Sequence, residues 1–304
     1  MAELRDYEPL ILHREPRFHV SLLANQRPRV ILNAEWHADV GRYMAEHGLT
    51  DISLNGGCGW PGGGIEFLAE IPGLRSVAIL HSKTRDLLPL LAHAATLEEL
   101  ILECNVVRAP GFSSLPALRN FNVAWARGLA DVFDGVPHAL DKLCVQRWPW
   151  EDLGGIVPLQ SLRNLCIAGS RKLVEISALR GRVGIQELTL RGCPKLSDFE
   201  AVSTCVGVRR LELASKSIRS LELVRPLTRL ERLIVETTEI ESLAPLEGLG
   251  ALRVVAVSER ILDPDLSVLQ RLPALEWAGI RSRKSYSLSV KQLNASLEAR
   301  RKAR

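Results

Sequence analysis

The chain has 304 residues, of which 46% are hydrophobic, 24% charged and 5% aromatic. This composition excludes an intrinsically disordered protein, because it supplies enough apolar side chains for a sizeable core. No apolar run reaches the roughly 18 residues that span a bilayer, and none follows Met1. We therefore expect neither membrane insertion nor a secretory signal.

The formal net charge of +4 is unevenly distributed. Residues 283–304 carry seven basic side chains against one glutamate, so the rest of the chain is slightly acidic. Such a body lacks the basic field typical of nucleic-acid-binding surfaces. The six cysteines contain no Cys-x-x-Cys pair. This pattern favours a cytoplasmic protein with reduced thiols.

Two strand-like segments and a helix are predicted in the first 48 residues. The segments are residues 9–12 and 18–23, which would cover the first edge of a sheet. A helix is predicted from Asn33, which can serve as N-cap, to Gly48, which can stop it. One apolar stripe follows helical spacing and consists of Trp36, Val40, Tyr43 and Met44.

From Leu49 onward an apolar pattern recurs every 21 to 25 residues. Each copy has apolar residues at its first, fourth and sixth positions, and a degenerate copy around Val30 and Leu32 precedes them. Alternation at positions four and six predicts a short strand with one face in the core. The eleven copies begin at Leu49, Leu74, Leu97, Leu118, Leu140, Leu162, Ile185, Val208, Leu230, Leu252 and Leu275.

A period near 22 residues is too short for a pair of helices, so each copy must form one strand and return. Prolines recur in the return segments, which favours short, interrupted or 3₁₀ turns. One copy alone cannot bury its apolar face, whereas stacked copies share a continuous core. The pattern therefore predicts a solenoid with a parallel sheet on one side.

The segment 230–240, Leu-Glu-Arg-Leu-Ile-Val-Glu-Thr-Thr-Glu-Ile, resembles the 22-residue class of the leucine-rich repeat family. The segment 188–196 is similar to the cysteine-containing class, although only Asn105 and Cys193 match the family's usual ninth position. The resemblance covers about residues 27–282. It implies an α/β solenoid of 11 to 12 repeats, of bacterial cytoplasmic type. Its concave face would be a parallel sheet and its convex face short helices, 3₁₀ turns and loops.

At the other end, Val290, Leu293 and Leu297 have helical spacing, which predicts a capping helix over 289–300 followed by a basic tail. We therefore expect three parts. Residues 1–48 form an N-terminal cap, residues 49–282 the repeats, and residues 283–304 a C-terminal cap and tail.

The segment 57–62, Gly-Cys-Gly-Trp-Pro-Gly, fits the G-x-G-x-x-G pattern of dinucleotide sites. Pro61 interrupts the turn, however, and His81 stands where an acidic ribose partner is expected. We interpret the segment as an expanded loop of the first repeat. No zinc, phosphate-loop or hydrolase motif is present in the sequence, so we expect no catalytic residue, metal or cofactor.

Cys144 and Cys166 occupy the fifth position of adjacent repeats. Neighbouring strands lie about 4.8 Å apart, so the two thiols can approach each other. We interpret them as small side chains in a ladder, and a metal site as the less favoured alternative.

Positions three, five and seven of each repeat point away from the core, and position eight lies at the rim. In repeats two to five these positions combine apolar, aromatic and polar groups, which is typical of an interface. The alternative is that Trp125 and Trp148 pack locally. The candidate partner-binding residues are Leu80, Ile101, Glu103, Asn122, Trp125, Gln146, Arg147 and Trp148.

In repeats seven to nine the same positions alternate glutamate and arginine, which predicts cross-strand ion pairs. These residues are Glu187, Arg191, Arg210, Glu212, Arg232 and Glu236.

The repeats leave no room for a catalytic domain, so we expect a monomeric, non-catalytic module that binds another protein as scaffold, regulatory subunit or sequestering inhibitor of the immunity type. One alternative is a nucleic-acid or anionic-membrane binder that uses the basic tail. Another is an enzyme with the glycine-rich loop and His81 at a small ligand.

Overall fold

A computed structural model describes residues 10–22, 27–136, 138–257 and 260–302. The chain divides into two compact units. The first comprises residues 1–142 and 158–160, and the second residues 143–157 and 161–304.

The first unit contains a hairpin, a helix and a run of parallel strands. Strands β1 to β3 pair in antiparallel fashion, and β3 to β7 pair in parallel, in chain order. The elements are β1 (Leu10–Glu15), β2 (Phe18–Leu22), β3 (Pro28–Leu32), α1 (Ala38–Glu46), β4 (Asp51–Asn55), β5 (Ser76–Leu80), β6 (Glu99–Leu102) and β7 (Asn120–Ala124).

The second unit begins within β8, and its main strands are parallel and follow chain order, with β13 and β15 forming a separate two-stranded sheet. The elements are β8 (Lys142–Gln146), β9 (Asn164–Ala168), β10 (Glu187–Arg191), β11 (Arg210–Ala214), β12 (Arg232–Glu236), β13 (Glu239–Ile240), β14 (Val254–Val257), β15 (Arg260–Ile261), α2 (Ser267–Arg271), β16 (Trp277–Ile280) and α3 (Val290–Lys302).

The repeat pattern corresponds to the strand register. Leu188, Leu211 and Leu233 are register partners on β10, β11 and β12, so equivalent positions form rows across the sheet. The fourth and sixth positions of all eleven copies are at most 8% exposed. Because an isolated strand could not bury these residues, the core is formed by stacking, which confirms the predicted solenoid.

A short 3₁₀ helix lies in the connection between most consecutive strands of the main sheet. Pro89 lies in the turn Leu88–His93 and Pro245 in the turn Ala244–Leu246. Proline lacks an N–H, so it suits the first turn of a short helix and prevents a longer one. The predicted 3₁₀ turns are thereby confirmed.

The predicted helix over 33–48 is shorter than expected. Helix α1 covers Ala38–Glu46, with His37 as its N-cap and Gly48 in the left-handed conformation after its end. Asn33 does not cap it, because the helix begins several residues later. The Asn33 N–H instead donates to the Arg17 carbonyl at 3.0 Å, which extends β3. Trp36 therefore precedes the helix. Pro9 and Leu23, the outer residues of the predicted strand segments, lie outside the described residues.

Helix α3 covers the last strand. Its residues Val290, Leu293 and Leu297 are buried, and Asn294 makes two hydrogen bonds to the Ala278 backbone on β16, at 2.9 and 2.8 Å. The Asn294 side chain thus supplies hydrogen bonds to backbone groups at the outer edge of β16, the last strand in the order of the main sheet. The division into caps and repeats stays a prediction. None of the described helices has both the length and the apolarity that crossing a bilayer requires.

Candidate functional site

We call the residues at positions three, five and seven of the repeats the open face. In the first unit this face is buried at its N-terminal end, where Asp51, Ser53, Ser76 and Ala78 are at most 5% exposed. Three of these four side chains are polar, and polar groups are buried at a cost unless they bond to one another. This end of the face therefore cannot offer side chains to a partner.

A buried ion pair organises that end. The Arg29 guanidinium from β3 donates to Glu99 on β6 at 2.5 Å and to the Ser76 hydroxyl between them. Asn120 donates to the other Glu99 oxygen at 2.6 Å. Burial alone would raise the pKa of Glu99, but the Ser76 hydrogen bond and the Arg29 charge hold that pKa below its ordinary value. The carboxylate is thus kept ionised.

Asp51 lies beside this pair and behaves differently. Its Oδ2 lies 3.1 Å from the Arg27 Nε, and its side chain is only 2% exposed. Burial raises the pKa of Asp51 above its ordinary value, and the charges of Arg27 and Arg29 reduce that rise. Burial raises the pKa of both carboxylates, but hydrogen bonds and positive charges outweigh burial at Glu99 and do not at Asp51.

The accessible part of the first unit's open face contains most of its predicted site residues. Ile101 and Asn122 are register partners on β6 and β7 and are half-buried, as is Leu80 on β5. Glu103, directly after β6, is exposed. The structure thus brings these four residues to accessible positions of one sheet.

Trp125 is neither fully exposed nor fully packed. Its ring stacks on Phe133 with a centroid distance of 6.0 Å and an interplanar angle of 2°, and the side chain is half-buried. One ring face is therefore packed locally, which meets part of the predicted alternative.

The glycine-rich loop is filled by a side chain. The His81 ring lies so close to Gly56 and Gly62 that a Cβ at either glycine would overlap it, and it packs edge-on against Trp60 at 5.4 Å. Lys83 donates to the Pro61 carbonyl at 3.1 Å. Close packing against His81 therefore explains why Gly56 and Gly62 carry no side chain.

In the second unit, Gln146 and Arg147 are exposed but Trp148 is 1% exposed. The Trp148 indole N–H donates to the Asp152 carbonyl at 2.8 Å, and its ring packs edge-on against Trp150. The prediction that Trp148 is an exposed contact residue is therefore wrong. The alternative prediction, that Trp148 packs locally, describes its position. The cause is the turn at Arg147, which directs the next side chain into the core.

Arg147 has a left-handed backbone, with φ of 62°. The equivalent positions of the next two repeats are Gly169 and Gly192, with φ of 69° and 63°. Among the described residues Arg147 alone has positive φ without being glycine. A side chain in this conformation costs about 1 kcal/mol or more, so an arginine is kept here against the backbone's preference.

Two of the predicted ion pairs are seen within the part of the second unit that the structure describes. Arg210 lies 2.6 Å from Glu187, and Arg191 lies 3.5 Å from Glu212, each pair joining neighbouring strands. All four side chains are at least 31% exposed. Such pairs contribute little to stability but leave their charges accessible.

An apolar patch further along the same face was not predicted. Trp277 on β16 is 50% exposed, and its ring lies over Gly279, where a Cβ would overlap it. Val254 on β14 is its register partner, and the neighbouring row across β12, β14 and β16 consists of Ile234, Ala256 and Gly279. We call Ile234, Val254, Ala256, Trp277 and Gly279 the C-terminal patch. Its residues occupy the third and fifth positions of repeats nine to eleven, so the repeat pattern contains the signal that identifies them.

Two basic residues near the C-terminus make contacts within the chain. Arg300 donates to the Leu272 and Leu275 carbonyls at 3.0 Å each, and Lys302 pairs with Glu298 at 2.8 Å. Arg300 therefore fastens α3 to the preceding turn. Residues 303–304 lie outside the described part. Within the described residues, no group of three or more His, Cys, Asp or Glu side chains is placed to hold a metal ion.

Solved structures with a similar fold include two internalins from Listeria monocytogenes. Internalin inlF aligns with a TM-score of 0.57 and 18% identity over 76% of this chain and 67% of its own. Internalin C2 (inlC2) gives 0.46 and 16%, over 66% and 79%. The plant peptide hormone receptor RGFR1, in complex with RGF2, gives 0.46 and 12%, over 86% and 45%.

No protein-family model matches the chain, and no curated protein matches it either. At such low identity, the likeness to inlF concerns the fold. That likeness agrees with the repeat register, the buried rows and the 3₁₀ returns described above. The chain therefore has the fold of a leucine-rich repeat solenoid.

Proposed function

We propose that the chain is a non-catalytic module that binds another protein on the open face of its sheet. The observation that carries this proposal is Trp277. It is a large aromatic side chain, half exposed, on a strand whose neighbour carries its apolar register partner Val254. Tryptophans so placed supply much contact area at little cost in conformational entropy, and they dominate many interfaces.

The polar surroundings of the patch support the same proposal. Arg210 with Glu187 and Arg191 with Glu212 border the apolar rows with accessible charges of both signs. An apolar centre with a polar border is the usual composition of a protein interface. Arg147 adds an exposed arginine that is kept at the expense of backbone strain, and such strain is characteristic of functional positions.

The candidate residues of the first unit remain part of the proposal. Leu80, Ile101, Asn122 and Glu103 are accessible, and Trp125 has one ring face packed. Scaffold, regulatory subunit and sequestering inhibitor all fit such a surface. A monomeric state and a cytoplasmic location are predictions from the sequence that accompany this proposal.

Affinity capture from the source cell with quantitative mass spectrometry tests the proposal. We expect proteins recovered by the wild type to be recovered at least tenfold less by Trp277→Ala, a loss of the size expected for an interface anchor. Val183→Ala is the matched control, because Val183 is a 60% exposed apolar residue in the loop before β10, away from the open face.

Ile101→Ala tests the first unit in the same experiment. Equal recovery of every protein by the wild type, Trp277→Ala and Ile101→Ala would contradict binding on the open face. Recovery that is lost with nuclease treatment or falls steeply with salt, and that depends on Arg301, would favour the basic tail instead.

A further inference from the structure

Two thiols lie side by side on the open face of the second unit. Cys144 on β8 and Cys166 on β9 both occupy the fifth position of their repeats, and β8 and β9 are neighbours in the sheet. The Arg147 N–H directly after β8 donates to the Ala168 carbonyl at the end of β9 at 2.7 Å, which fixes the alignment of the two strands. The two side chains therefore project from the same face in parallel.

The spacing suits a covalent bond between the two sulfurs. Neighbouring strands lie about 4.8 Å apart, which is within the range of about 4.4 to 6.8 Å between Cα atoms of disulfide-bonded cysteines. The two thiols interact directly, because each is a cause of the other's pKa shift. Both side chains are partly exposed, so a small oxidant has access to them.

The electrostatic surroundings distinguish the two sulfurs. The hydrogen bond from Cys166 lowers the pKa of Cys144, and the positive charge of Arg191 lowers it further, although burial opposes both. The same hydrogen bond, together with burial, raises the pKa of Cys166. Cys144 is thus the sulfur that ionises first, and thiolates are the nucleophiles in sulfur oxidation.

The other cysteines provide an internal comparison. Cys104, Cys193 and Cys205 are buried, and burial raises the pKa of Cys104 to about 12 and that of Cys205 to about 11. Cys58 is partly exposed in the glycine-rich loop. Of the six, only Cys144 and Cys166 combine access with a neighbouring thiol.

We propose that Cys144 and Cys166 form an oxidisable dithiol that a hydroperoxide converts to a disulfide joining β8 and β9. The Cys144 thiol loses its proton to solvent, and the thiolate attacks one peroxide oxygen. The O–O bond breaks, and the released hydroxide takes up a proton to give the first water, so that Cys144 becomes a sulfenic acid. The Cys166 sulfur then attacks the Cys144 sulfur, and its proton goes to the departing hydroxyl, which leaves as the second water. The two thiols lose two electrons, and one hydrogen peroxide is reduced to two waters.

Peptide mapping of the full chain after a hydrogen peroxide titration tests the proposal. Trypsin releases Cys144 in residues 143–147 and Cys166 in residues 164–171, because Lys142, Arg147, Arg163 and Arg171 border them. After quenching with a denaturing alkylating buffer, we expect these two peptides joined, with a mass two hydrogens below their sum. Cys58, Cys104, Cys193 and Cys205 should still be alkylated, and dithiothreitol should reverse the joining.

Single variants assign the roles. In Cys166→Ser, we expect a Cys144 sulfenic acid that dimedone traps, because the resolving thiol is gone. In Cys144→Ser, oxidation of Cys166 should be at least tenfold slower, and Cys58→Ser should leave the joined peptide unchanged. Circular dichroism of each variant checks that it is folded.

Two results would overturn the proposal. The first is oxidation of Cys58 at the same rate as Cys144, with no peptide joining 143–147 to 164–171. The second is conversion of both sulfurs to sulfinic acids without a disulfide. Neither result depends on whether a protein partner binds the open face.

Discussion

Both units have a glutamate at the third position of a repeat, and the two glutamates have opposite surroundings. Glu99 of the first unit bonds to Arg29, and their side chains are 14% and 5% exposed. Glu187 of the second unit pairs with Arg210, and their side chains are 40% and 62% exposed. The same repeat position therefore serves a buried polar cluster in one unit and an accessible surface in the other. The position within a repeat thus determines the direction of a side chain but not its exposure.

The second unit shows the same contrast between two tryptophans. Trp148 is 1% exposed and Trp277 is 50% exposed. We expect Trp148→Ala to lower the free energy of unfolding by about 4 kcal/mol, because it removes a fully packed indole from the core. Trp277→Ala should lower it by about 1 kcal/mol or less. Urea denaturation followed by circular dichroism measures both, and equal losses would contradict the assignment of Trp277 as a surface anchor.

Replacing the two glutamates by alanine should give the next largest difference in the free energy of unfolding. Glu99→Ala leaves the buried Arg29 guanidinium without its carboxylate, so the free energy of unfolding should fall by about 3 kcal/mol. Glu187→Ala removes an exposed pair and should cost less than about 1 kcal/mol. The same denaturation measurement applies. Similar losses for the two variants would show that the burial of the first unit's open face does not persist in solution.

The pH dependence of the Glu99 contribution follows from its lowered pKa. A carboxylate with a lowered pKa in the folded state adds stability above its unfolded pKa, near 4.5, and loses it as pH falls through the folded value. The stability difference between the wild type and Glu99→Gln should thus be constant from pH 5 to 8 and shrink below about pH 4.5. Both proteins should carry Asp51→Asn, because the Glu99 charge itself raises the pKa of Asp51 and the two titrations would otherwise be coupled. A difference that grows with acidity would contradict the ionised Glu99.

Much of the fold could be predicted because it depends on short-range periodicity. Apolar residues at the fourth and sixth positions require strands with one buried face, and Leu188 with Leu211 lie in the expected register. The burial of Asp51 and Ser76 could not be predicted in this way. Polar residues on an outward face indicate exposure, whereas here they are buried at the N-terminal end of the first unit's face.

The site was harder to predict, for two physical reasons. Strand alternation ends at position seven, so it contains no information on the left-handed turn at Arg147 that directs Trp148 inward. Glycine would have indicated such a turn, but the sequence has Arg147 at the position where the next two repeats have Gly169 and Gly192. Trp277, in contrast, occupies a regular third position, and the repeat pattern contains the signal that identifies it.

The smallest effect concerns Arg147 itself. Arg147→Gly should raise the free energy of unfolding by about 1 kcal/mol, because glycine adopts the left-handed conformation without the clash of a Cβ. Gly169→Ala is the control with the opposite sign, since its φ of 69° penalises a side chain by a similar amount. If Arg147→Gly is less stable than the wild type, the arginine side chain contributes to the fold and its retention no longer indicates function. If the variant is more stable but recovers less of a captured protein, the strain is retained for binding.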